Sequence, residues 1–154
     1  MSTSDALTAM MLSEHFSLEE LFFSRFAIEH GIDNTPDERV ADQLKSLALG
    51  ILEPVRAIHG LPVIVDCGYR CPAVNSGVGG APDSQHLLGQ AADIRIPGVS
   101  HNRLMHEVIA SGIMFDEIIY EAGELGWIHI SCSIAPRRKA LQTPTGKAPY
   151  LPFP

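Results

Sequence analysis

Val40, Leu44, Leu47, Ile51, Val55 and Ile58 recur at steps of three and four, which sets one apolar stripe along a long helix. Thr35-Pro36-Asp37-Glu38 is its start signal, with proline at the first helical position. Pro54 is expected to kink this helix, and Gly60 to end it. Upstream, Ser17-Leu18-Glu19-Glu20 has the capping-box form. It predicts a helix from about Leu18 to Glu29, with Leu21, Phe22 and Phe26 on the apolar side and Gly31 just past the end.

After Gly60 the period shortens to two. The β-branched stretch from Pro62 to Cys67 predicts a strand running into the turn Gly68-Tyr69-Arg70-Cys71-Pro72. Residues 75–84 are rich in Gly, Ser, Pro and Asn and predict a loop with one helical turn. A second strand spans Ala91 to Ile96, closed by Pro97-Gly98, and a helix follows from Ser100 to Gly112 with Leu104, Val108 and Ile109 buried. Phe115 to Glu121 and Trp127 to Ser133 read as a hairpin across residues 122–126. The fold class expected is α+β, a small antiparallel sheet packed on N-terminal helices. One domain covers residues 1–135, with residues 1–12 as a flexible arm and residues 136–154 as a proline-rich, extended C-terminal tail.

Composition narrows the function classes. A chain of 154 residues with 45% apolar side chains fills one core. A formal charge of -7 argues against nucleic-acid binding, which needs an excess of Lys and Arg on some face. Met1 to Met11 has no basic segment followed by an apolar core, and no apolar run approaches the roughly 20 residues of a membrane span. Cytoplasmic synthesis without a membrane partner is the expectation. Cys67, Cys71 and Cys132 are an odd number and read as free thiols.

Strand alternation brings chemistry into this frame. Ala91, Asp93 and Arg95 point away from the core side taken by Ala92, Ile94 and Ile96. Trp127, His129 and Ser131 share that outer face, opposite Ile128, Ile130 and Cys132, and Glu117, Ile119 and Glu121 can join it. His86 arrives from the loop before the Asp93 strand, with Gly89 allowing the chain to turn. Two histidines and an aspartate are a ligand set for catalytic zinc, leaving one position for water, so the chain reads as a hydrolase. His15, His30, His59, His101 and His106 lack such a context, and His106-Glu107 has Ala110 where a zinc helix needs its second histidine. A closed, cysteine-rich zinc site is the poorer reading, because Cys132 alternates onto the core side.

The run Gly68-Tyr69-Arg70-Cys71-Pro72, then Asn75, Val78-Gly79-Gly80, Ser84-x-His86-x-x-Gly89-x-Ala91-x-Asp93 and Trp127-Ile128-His129-Ile130-Ser131 resembles the zinc D-alanyl-D-alanine carboxypeptidase family. That family includes phage endolysins of the L-alanyl-D-glutamate type, and its zinc site is similar to those of lysostaphin and hedgehog domains. Ser13-Glu14-His15-Phe16-Ser17 and Ile51-Leu52-Glu53-Pro54-Val55-Arg56 also look like the small, phage-associated members. The resemblance implies one catalytic Zn2+ held by His86, Asp93 and His129, with Arg70 binding a substrate carboxylate. It also implies a general base near His129. Several relatives carry Glu or Asp three residues before the last histidine, where this chain has Gly126. Glu121, at a strand end, is favoured as the base over Glu124 in the turn. Ser84 and Gln85 are expected to orient His86 or contact substrate, Tyr69 to line the cleft, and Trp127 to pack in support of the site.

The expected activity is hydrolysis of D-amino-acid-containing peptidoglycan stem peptides or cross-links, by a carboxypeptidase or an endopeptidase. Two other classes stand beside it: a catalytically weak metal-binding module recognising wall peptides or a protein partner, and a phage structural component. Peptidoglycan lies outside the membrane, so a wall-acting protein of this kind needs a holin, lysis or virion-borne delivery.

Overall fold

The computed structural model of the chain describes residue 6 and residues 9–154. Most of the arm expected over residues 1–12 lies outside the described residues, and its end is part of the core. Leu12 is buried, and Met11 bridges to Ser17.

The first expected helix is two short ones, α1 (Leu18–Phe22) and α2 (Arg25–Glu29). Carbonyls that a continuous helix would use internally are taken elsewhere. Leu21 O accepts the Tyr69 amide at 2.7 Å, and Phe22 O accepts the Asn34 side-chain amide at 2.7 Å. The chain therefore leaves helical geometry at Phe23, and the Ser24 hydroxyl caps α2 by accepting from Ala27 N. The long helix begins two residues later than expected. Asp37, not Thr35, supplies its cap by accepting from Val40 N, and α3 runs Glu38–Leu47.

A widened turn, Ala48–Leu52, joins α3 to α4 (Glu53–His59). Pro54 has no N–H for the Gly50 carbonyl, and the Glu53 N–H reaches back five residues to Ala48 O. The kink expected at Pro54 thus takes the form of a π-turn just before it. Gly60, at φ 63°, ends α4 in the left-handed conformation.

The sheet follows as β1 (Ile64–Cys67), β2 (Ala91–Arg95), β3 (Glu117–Glu121), β4 (Trp127–Ser131), β5 (Lys139–Thr143) and β6 (Leu151–Pro152). Short α5 (Pro72–Gly77) separates β1 from β2, and α6 (His101–Ala110) separates β2 from β3. The spatial order is β1-β2-β4-β3-β5-β6, antiparallel except where β5 runs parallel to β3. The fold is α+β. Ile94, Ile118, Ile128 and Ile130 are fully buried on one sheet face, packed with Leu44, Leu47 and Leu52 of the helical layer and Leu104 and Val108 of α6.

Residues 136–154, expected as an extended tail, supply β5 and β6. The prolines flank the pairing segment Lys139–Thr143 rather than interrupt it, so the exposed edge of β3 gains a full ladder. Arg137 fastens the entry to this segment by donating from N and Nε to Asp116 Oδ1 at 3.1 and 2.9 Å. Among the described residues no helix is long and apolar enough to cross a membrane.

Candidate metal centre

The face of the sheet opposite the core carries a row of residues in register: Cys67, Asp93, His129, Ile119 and Leu141 on five neighbouring strands. Asp93 and His129 are direct cross-strand partners, as alternation required. Cys67 was not foreseen there. A bulge between Val65 and Cys67 makes Asp66 the extra residue, so Cys67 rather than Asp66 opposes Asp93.

His86 comes from a 3-10 turn, Gln85–Leu88, whose start is capped by the Ser84 hydroxyl and whose end is closed by Gly89 at φ 71°. The imidazole is oriented from behind, with Nδ1 2.6 Å from the Gly68 carbonyl. Nδ1 therefore carries the proton, and the Nε2 lone pair faces Asp93 Oδ1 at 3.2 Å. From the neighbouring strand, His129 Nδ1 also lies 3.2 Å from Asp93 Oδ1. Two imidazole nitrogens aimed at one carboxylate oxygen call for a cation among them. Tetrahedral zinc with bonds of about 2.0–2.1 Å has ligand-to-ligand edges of about 3.3 Å, which the two 3.2 Å separations to Asp93 Oδ1 match.

Electrostatics agree with this donor set. Burial alone would push the Asp93 carboxyl up, but the charges and hydrogen bonds of His86 and His129 outweigh it and hold Asp93 well below the carboxylate range. Glu121, only 7% exposed, offers a ligand atom within 4.8 Å of those of Asp93 and His129. Its carboxyl is pushed up to about 7, by burial first and then by the Asp93 charge, against opposing pulls from His129, His86 and Arg70. Cys67, His86 and Asp93 also group within 4.8 Å. The thiol, however, lies 4.0 Å from the Nδ1 edge of His86, which is already committed to Gly68. Burial pushes that thiol up to about 12.

His86, Asp93, Glu121 and His129 line a cleft of about 780 Å³. Arg70 stands in one wall, donating from Nη2 to Ser84 Oγ at 3.3 Å, while its buried Nε has no partner among the described residues. Gln85 donates to Asp116 Oδ2 at 3.0 Å, tying the His86 turn to the carboxylate that holds Arg137. Trp127 also lines the cleft, rather than only packing beneath it.

Two expected site residues lie elsewhere. Tyr69 packs with the core, its ring against the helical layer and its carbonyl accepting from Asn34, so it does not line the cleft. Glu124 caps α6, accepting from His101 N and Asn102 N at 2.8 Å each and from the Tyr120 hydroxyl at 2.8 Å. That engagement leaves Glu121 as the carboxylate beside the donors. Gly126 explains why the usual base position is empty: a Cβ there would overlap the Glu121 carbonyl oxygen. The wall formed by residues 145–148 and Tyr150 was missed, because a proline-rich segment carries no alternation that would dock it here.

Glu121 also sets a pH dependence. Its folded value of about 7 lies above the ordinary carboxyl value near 4.3, so between these pH values the folded state holds more proton than the unfolded chain. Its contribution to stability is therefore present at low pH and lost as pH rises through about 7. In chelator, the wild type is expected to lose up to about 3 kcal/mol relative to Glu121→Gln between pH 5 and pH 8. Urea midpoints of both proteins at the two pH values measure it. Parallel curves would refute the assignment.

An α+β sheet presenting two imidazoles and a carboxylate at the floor of a cleft, with a second carboxylate beside them, defines the class of mononuclear metal-dependent hydrolases. No curated protein matches the chain. Residues 14–131 match the family described as Peptidase M15, and the chain belongs to that family of zinc metallopeptidases.

Proposed function

We propose that the protein is a zinc peptidase that hydrolyses D-amino-acid-containing stem peptides or cross-links of peptidoglycan, with His86, Asp93 and His129 as ligands. The observation that carries this reading is the approach of His86 Nε2 and His129 Nδ1 to the same Asp93 oxygen at 3.2 Å, beside Glu121 in an open cleft. Zinc held there supplies Lewis-acid polarisation of a peptide carbonyl and acidifies water.

The chain's own groups do the rest. Arg70, whose buried Nε has no partner among the described residues, takes a carboxylate of the peptide and fixes the scissile bond over the floor. Glu121, raised to about 7, is poised near neutrality to accept a proton from the attacking water. The same carboxyl then returns the proton to the leaving amine. The Gly68 carbonyl holds His86 in one tautomer through the cycle, and the bond from Gln85 to Asp116 anchors the turn that carries it. Reaching such a substrate requires delivery across the membrane, for which lysis or virion-borne release is the proposed route.

Incubation of the zinc-loaded protein with purified peptidoglycan and defined stem peptides, followed by mass spectrometry, tests the reading. Released D-Ala marks a carboxypeptidase and internal fragments an endopeptidase. Failure to cleave any stem peptide by metal-replete protein favours the binding-module alternative.

A further inference from the structure

The family match ends at residue 131, whereas the cleft continues into the segment that follows β5. Thr143 is fully buried, its carbonyl accepts from Ala122 N at 2.8 Å, and its hydroxyl and that of Thr145 both donate to the Lys147 carbonyl. On the far side of the loop, Phe153 N donates to Ala140 O at 3.0 Å, and the Phe153 ring lies against Tyr120 and His106. The intervening turn is thus pinned at both ends and held over the site. A Cβ on Gly146 would lie 3.5 Å from the Trp127 ring and 3.8 Å from Glu121 Oε2.

This loop brings Lys147 and Tyr150 to the cleft. The other cations in the lining are Arg70 and Arg137, and Arg137 is committed to Asp116 and Glu117. Among the described residues, Lys147 has no carboxylate within ion-pair distance and the Tyr150 hydroxyl has no hydrogen-bond partner. Arg70 follows β1, while Lys147 follows β5, and the strands of Asp93 and His129 lie between them in the sheet order. Four strand steps of about 4.8 Å separate β1 from β5, a backbone span of roughly 19 Å, and the long Arg70 and Lys147 side chains both line the cleft inside it.

We propose that Lys147 and Tyr150 form a second anion subsite, across the Asp93–His129 pair from Arg70, that binds a carboxylate on the other side of the scissile bond. The preferred substrate is then a peptide with carboxylates flanking that bond. A stem peptide meets the requirement with its D-Glu α-carboxylate and its terminal carboxylate. The assignment rests on the peptidase reading for its substrate class, and its test separates the two.

The probes are synthetic L-Ala-γ-D-Glu-L-Lys-D-Ala-D-Ala in four forms, with each of those two carboxylates free or amidated. Cleavage is measured as kcat/KM. Binding to Glu121→Gln protein is followed through the fluorescence of Trp127, the chain's single tryptophan. In the wild type, amidating either carboxylate is expected to cost about tenfold, the worth of one charge-assisted contact. Lys147→Ala removes the penalty for one carboxylate and keeps the other, Arg70→Ala does the reverse, and Tyr150→Phe weakens the Lys147-side contact alone. Lys147 is exposed, so its replacement leaves the fold intact. If amidation penalties are the same in Lys147→Ala as in wild type, the subsite is refuted while the peptidase reading stands. If no form is cleaved, the peptidase reading fails. The subsite is then decided by binding: weakened affinity in Lys147→Ala for the free form only supports it, and equal affinities, or no binding, overturn it.

Discussion

Glu121→Gln is expected to lower kcat on a cleaved stem peptide by about 10²- to 10⁴-fold, the usual worth of a positioned proton-transfer group. Zinc affinity should stay within a few-fold of wild type. Glutamine keeps the size and the hydrogen-bonding reach of the side chain but cannot take a proton. The site around it is otherwise unchanged, because the three proposed ligands are held by Gly68, the 3-10 turn and the β2–β4 pairing, and not by Glu121. Glu124→Gln is the contrasting variant. It weakens the cap of α6, costing on the order of 1 kcal/mol, and should leave kcat near wild type. Steady-state kinetics and urea melts of the pair decide the matter: a Glu121→Gln enzyme with full kcat would remove Glu121 from the chemistry.

The second large effect concerns the metal. His86→Ala and His129→Ala should each reduce zinc affinity by more than the roughly 100-fold that loss of an outer-shell partner costs. Each variant deletes one donor from a set of three and leaves the Asp93 carboxylate with a single imidazole. Cys67→Ser, by contrast, should hold zinc within a few-fold of wild type. The thiol is protonated to about pH 12, and the His86 nitrogen nearest to it, Nδ1, is already committed to the Gly68 carbonyl. Competition with a chromogenic chelator measures all three affinities. A Cys67→Ser protein that loses zinc as the histidine variants do would mean a closed site with sulfur as a ligand, and the hydrolytic reading would fall with it.

Most of this centre was legible in the chain. Strand alternation alone placed Asp93, His129 and Glu121 on one face, because a buried apolar face on β2, β3 and β4 leaves their other face no alternative. The pairing of β3 with β4 followed from two alternating runs joined by a short turn. Non-local effects escaped. The break between α1 and α2 comes from carbonyls claimed by Tyr69 and Asn34, which no local pattern announces. The bulge that brings Cys67 to the site is a one-residue slip that alternation cannot detect. The second wall of the cleft was hidden because β5 is recruited by an unpaired strand edge and by Asp116, rather than by its own composition. Glu124 was displaced from the site by a competing use as a helix cap, which sequence proximity to Trp127 concealed.

The central placement of β2 and β4 bears on how an ion enters and leaves. Asp93 and His129 stand on interior strands whose amides are locked on both sides, so their backbone opens only at a cost close to that of unfolding the whole domain. His86 sits on a single short turn outside the ladder, held by the Ser84 hydroxyl, the Gln85 side chain, the Gly68 carbonyl and the amides of Arg70 and Gln90. Amide exchange should therefore be slow at Asp93 and His129 and faster through Gln85–Leu88. The turn is the side of the site that opens to admit an ion, and the sheet is the side that waits for it.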